Sequence, residues 1–184
     1  MFVIFIKGEY FEWIMVIHLT KHLQEALEDI GFSYCHEFPV YDAEVIRTHL
    51  ISDSVIEQYG NAKWTVVDIL NEKYSAILFN RFDLHNWLEK NQDDEVAYFL
   101  NEAGSNSLNY SQYLAPSRFH LWLGKKGFVI GIEQKGHGFN AAKIEAERKR
   151  ENQGGAFSFF RECKNTVFFD NAEDAKVVYF EVKF

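Results

Sequence analysis

The stretch Arg118-Phe-His-Leu-Trp-Leu-Gly-Lys-Lys-Gly-Phe-Val-Ile-Gly-Ile-Glu133 carries the clearest folding signal in the chain. Two β-rich runs flank Gly124-Lys125-Lys126-Gly127, where the paired glycines permit a tight reversal. Setting Leu123 opposite Phe128 places Leu121 opposite Ile130 and Phe119 opposite Ile132. One face is then wholly apolar. The other pairs Arg118 with Glu133, His120 with Gly131 and Trp122 with Val129. A one-residue slip would mix the two faces, so the alternation specifies this register.

Working outward, other strands also come as adjacent pairs. Phe2 to Ile6 and Tyr10 to His18 read as strands about a Lys7-Gly8-Glu9 turn. Phe32 to Phe38 reads as a strand ended by Pro39. Lys63 to Leu70 pairs with Tyr74 to Asn80, and Thr166 to Asp170 with Lys176 to Phe184. Helices fit between them. Thr20 caps one that Gly31 stops, and Asp42 caps one reaching about Leu50. Ser52 or Asp53 starts a short one ended at Gly60. Asp83 caps another through Lys90. Asp93 or Asp94 caps one ended by Gly104, and Ser105 to Ser117 reads as a loop. Asn140 caps a helix to about Asn152, and Ala156 to Cys163 forms the last. Short connections between strands favour antiparallel pairing. The expected fold is α+β: a mainly antiparallel sheet built from adjacent strand pairs, with helices packed on it, in a single domain over 1–184.

Composition bounds the function. Hydrophobic residues make up 47% and aromatics 17% of the 184 residues, which excludes a disordered chain. Cys35 and Cys163 form no CxxC pair, so neither a disulfide framework nor zinc spacing is present. The longest apolar run, Trp13 to Ile17, is too short to span a bilayer, and the first residues lack a secretory pattern. A cytoplasmic protein without membrane contact is expected. The net charge of −8 is uneven: residues 1–115 hold 7 basic and 18 acidic residues, residues 116–184 hold 12 and 9. Such asymmetry points to an anionic partner for the basic part, or to mutual attraction of the two parts.

Three functional readings follow. In the first, Arg118, Trp122, Lys125, Lys126, Lys143 and Arg148 bind a nucleic acid, a polyphosphate or another phosphorylated ligand, with phosphates on the cations and bases on the indole. The Gly136-His137-Gly138 loop before a helix would offer N–H groups to an anion. In the second, the acids Asp93-Asp94-Glu95 and their N-terminal neighbours dock a basic protein partner. In the third, Glu133 and Lys135 act on a phosphodiester, with His120 or His137 as general acid or base. Only this nuclease reading implies a cofactor, Mg²⁺ on Glu133. The Glu-x-Lys pattern recurs at Glu147, Glu162 and Glu181, so it does not single out a site. Asp170 with Glu181 and Lys183 fits the nuclease spacing better, yet the sequence stops at Phe184. No metal site is expected otherwise. Whether Arg118, His120, Glu133, Lys135 and His137 converge on an open surface is the deciding question.

Overall fold

The computed structural model describes residues 17–49, 51, 53–89, 93–110, 116–151 and 156–184, without the side chains of 109, 110, 116, 117 and 148–151. The strands are β1 (Ile17–His18), β2 (Phe32–Pro39), β3 (Pro116–Gly124), β4 (Gly127–Gln134), β5 (Thr166–Phe169) and β6 (Val177–Lys183). They form one six-stranded sheet in the order β1-β5-β6-β4-β3-β2. Every pair is antiparallel except β1 with β5. The fold is therefore α+β, with helices packed on a mostly antiparallel sheet. The strands expected over Phe2 to Ile6 and Tyr10 to Val16 lie outside the described residues.

The β3–β4 register is the one the alternation specifies, from Arg118 opposite Glu133 to Leu123 opposite Phe128. Its apolar side is fully buried: Phe119, Leu121, Phe128 and Ile130 have no exposed surface. Against that side pack α3 (Val55–Lys73), α5 (Glu95–Tyr110) and α7 (Ala156–Glu162). The opposite side receives α1 (Leu23–Ile30), whose Ala26 and Ile30 close over Val129, Phe168 and Tyr179. Gly31 ends α1 in the left-handed region at φ 62, where it caps the last turn.

Several expectations fail in an instructive way. Lys63 to Leu70 is helix, not strand, because α3 runs unbroken through Gly60 to Lys73. Ser54 and Glu57 form a reciprocal capping box, and Tyr59, Ala62, Val66 and Leu70 fall buried at helical spacing. That stripe outweighs the β preference of the Thr65-Val66-Val67 run, and Tyr74 to Asn80 contains no strand. Similarly, α5 passes Gly104 and continues to Tyr110, where a loop was expected. Gly104 serves packing instead: a Cβ there would stand 2.8 Å from the Tyr59 ring of α3.

The remaining helices are α2 (Ala43–Thr48), α4 (His85–Leu88) and α6 (Ala141–Glu151). Asp42 caps α2, accepting from the amides of Glu44 and Val45. Thr20 does not cap α1; His22 holds that position and makes no side-chain cap bond. Among the described residues, no helix is long and apolar enough to cross a membrane.

Candidate functional site

The polar side of the hairpin is built where β2 lies beside β3. Glu37 sits opposite His120 on β2, and Glu133 sits two strands away on β4. Arg118 turns its guanidinium to Glu37 at 3.2 Å, not to the Glu133 across the register. His120 donates from Nε2 to Glu133 at 3.0 Å. Its Nδ1 lies 3.5 Å from Glu37 but is buried without a hydrogen bond to a described residue. Arg118, His120 and Glu133 thus converge, yet His120 is only 9% exposed.

The space opposite His120 is filled. The Trp122 ring lies over Gly131, so a Cβ at Gly131 would stand 2.8 Å from Trp122 Cζ3. His120 stacks on Trp122 with ring centroids 5.0 Å apart. Trp122 in turn meets Tyr179 at 5.8 Å, and Tyr179 stacks on Phe168 at 4.7 Å. Burial pushes the Tyr179 phenol up to about 12, as an apolar surrounding requires. The half-buried indole belongs to an aromatic row that continues beneath α1.

Glu133 and Lys135 are engaged with different partners, His120 and Asp42. β4 ends at Gln134, so Lys135 lies beyond the strand, and its ammonium bonds to Asp42 at 2.9 Å. The Val45 amide and Lys135 together hold the Asp42 carboxyl below the usual range. His137 is exposed, and Gly138 packs tightly on Asp174. The loop does not offer a free helix start either. Asn140 takes the Lys143 amide at 2.7 Å, and Ala172 takes the Ala142 amide at 3.2 Å. In the alternative set, Glu181 is buried against Lys21 and Lys183 pairs with Asp29. Among the described residues, no three His, Cys, Asp or Glu side chains are disposed to hold a metal ion.

Most other expected contact residues are also engaged. Lys143 pairs with Glu147 at 3.8 Å; on α7, Arg161, another basic residue of the same region, pairs with Glu145 at 2.7 Å. Arg148 lies on α6, and its side chain is outside the described residues. The acidic stretch is structural in part. Asp94 is 7% exposed; it caps α5 through the Ala97 amide and accepts from the Asp83 amide. Glu95 accepts from the Lys164 and Asn165 amides.

The hairpin tip differs. It lies roughly 20–25 Å from Arg118 along strands that rise about 3.3 Å per residue. Lys125 and Lys126 are exposed, and neither side chain forms an ion pair with a described residue. Their amides bond to the carbonyls of Gly31 and Ile30 at 3.2 and 2.9 Å, which anchors the tip on the C-terminal end of α1. That end carries partial negative charge, so two lysines are favourably placed there. Register with β2 brings Phe32 beside Gly124 and Tyr34 beside Leu123. On the other flank Phe184 donates its amide to the Lys126 carbonyl at 2.8 Å. These three aromatics are 44%, 59% and 47% exposed. Sequence reasoning missed them because they reach the tip through pairing with distant strands.

No known protein family matches this chain. No curated protein and no solved structure matches it either.

Proposed function

We propose that the hairpin tip binds single-stranded nucleic acid. One observation carries this reading: Lys125 and Lys126 stand exposed and unpaired with any acid among the described residues, between exposed aromatics on β2 and just past the end of β6. Phosphates would meet the two ammonium groups, and bases would stack on Tyr34, Phe32 or Phe184. Stacking contributes about 1–3 kcal/mol per base and tolerates any sequence. The acidic remainder of the chain opposes binding only locally, since charges beyond about 10 Å are screened at 0.1 M salt.

Two or three phosphate contacts give a slope of log affinity against log salt of about −1.4 to −2 for a single strand. Fluorescence anisotropy with a labelled oligothymidylate of about twelve nucleotides, matching the span of such sites, measures this directly. The expected result is micromolar binding at low salt that Lys125→Glu/Lys126→Glu abolishes and Tyr34→Ala weakens. Binding indifferent to the lysine reversal would end the proposal. Equal competition by inorganic polyphosphate, with no effect of Tyr34→Ala, would replace nucleic acid by polyphosphate as the ligand.

A further inference from the structure

A cavity of about 480 Å³ opens on the apolar side of the sheet at the end far from the hairpin tip, between α5, the α6–α7 pair and the ends of β4 and β6. It shares no residue with the hairpin tip. Its size lies within the 300–1,000 Å³ range of small-molecule sites. That volume equals roughly sixteen liquid waters, enough for a ligand of about a dozen non-hydrogen atoms. Phe139, Phe157 and Phe160 form an aromatic wall, with Phe139 edge-on to Phe157 and Phe157 tilted on Phe160. Ile132, Ile144 and Val178 complete the apolar lining. Such a lining gives water few hydrogen-bond partners and favours an apolar occupant.

Polar groups at the edge decide what kind. Among the described residues Glu102 is the single acid of the lining, and its carboxylate already accepts from the Trp87 indole N–H at 3.3 Å. Gln134 donates its amide to the His137 carbonyl. The donors left over are Lys176, Asn106 and Ser107. Lys176 makes no ion pair with a described residue. Ser107 is 6% exposed, and its hydroxyl makes no hydrogen bond to a described residue. An apolar body with unspent donors and a cation at its mouth is complementary to an amphipathic anion.

We propose that this cavity binds an amphipathic monocarboxylate of medium chain length, with its hydrocarbon against the phenylalanine wall and its carboxylate toward Lys176. The proposal is independent of nucleic-acid binding at the tip. Decanoate is the probe, titrated into the full chain by calorimetry, with decanol as the uncharged comparator. Saturable one-to-one decanoate binding is expected. Lys176→Ala removes one charge-assisted contact and should weaken decanoate about tenfold while leaving decanol unchanged. Lys176 is exposed, so this variant folds as the parent does. Methyl chemical shifts give an independent reading. Ile132, Ile144 and Val178 should move on decanoate addition, while Ile17 and Val167, outside the cavity, should not. Failure to saturate, equal weakening of both probes, or shifts centred elsewhere would each overturn the assignment.

Discussion

Tyr74, just past the end of α3, donates its hydroxyl to the Gly127 carbonyl at 2.7 Å and accepts from the Gly124 amide at 3.2 Å. One phenol thus ties the helix to both glycines of the hairpin turn. Burial raises the Tyr74 pKa, so the group remains a donor through neutral pH. Tyr74→Phe strands a buried amide and a buried carbonyl, each costly to leave unmade. Urea denaturation should show a loss of about 1–3 kcal/mol with an unchanged slope. A loss within error of zero would mean that water replaces the hydroxyl at the turn.

Lys21 bonds at 2.7 Å to Glu181, whose side chain is fully buried beneath α1. Removing the cation leaves a buried carboxylate uncompensated, so Lys21→Met should destabilise by about 3–5 kcal/mol. The double change Lys21→Met/Glu181→Leu should recover most of that loss, because a well-packed apolar pair rivals a buried ion pair. Recovery is helped by Glu181 Oε1, which lacks a hydrogen bond already. Burial pulls the Lys21 pKa down, but hydrogen bonds and charges from Glu181 and Asp29 outweigh it and set the value above 10.5. A raised lysine stabilises fully below its unfolded value and loses that contribution as pH rises through the folded one. On the alkaline side the gap between parent and Lys21→Met should therefore begin to narrow only above about pH 10.5.

The register of β3 and β4 was legible because six alternating apolar positions leave one solution. The Asp42 and Asn140 caps, the Gly31 stop and the last strand pair were legible for the same local reason. The strand reading of Lys63 to Leu70 failed because local β preference competes with a helical stripe that only tertiary burial rewards. The site was legible in part. Arg118, His120 and Glu133 do meet, but Glu37, 81 residues from Arg118 in sequence, neutralises the guanidinium. Only the β2–β3 pairing reveals that partner. Phe32, Tyr34 and Phe184 likewise join the lysine tip through long-range register, which no local pattern encodes.

Lys63 presents the opposite titration from Lys21. Its ammonium bonds to Asn101 at 2.7 Å and lies 4.2 Å above the Tyr59 ring, with no ion pair to a described residue. Desolvation by burial lowers its pKa from 10.5 to about 8. A fall of that size corresponds to about 3 kcal/mol of cost for holding the charge, which solvent screening of this half-buried amine reduces to about 2–3 kcal/mol. The cost is complete below pH 8 and is relieved between about 8 and 10.5, where the unfolded chain binds the extra proton. Lys63→Met removes the charge but leaves Asn101 Oδ1 without its donor, which returns about 1–2 kcal/mol. The variant should be about 1 kcal/mol more stable at pH 7, and the advantage should vanish toward pH 10. Paired urea titrations at both pH values test this; a pH-independent difference would show that the amine is not desolvated.

Gly131 has its role in Trp122. A Cβ at this strand position would stand 2.8 Å from Trp122 Cζ3 and 3.2 Å from Tyr179 Cδ1. Glycine to alanine in a strand ordinarily stabilises, by about 0.4–1 kcal/mol through the unfolded chain. Overpacking against two ordered rings costs about 1–3 kcal/mol, so the clash should win and Gly131→Ala should destabilise. Trp122→Leu frees the space above residue 131. In that background the same glycine substitution should cost nothing or turn stabilising, which is a coupling readable from a double-mutant cycle. Additive effects of the two substitutions would mean that the ring moves aside freely, and the glycine would then need another explanation.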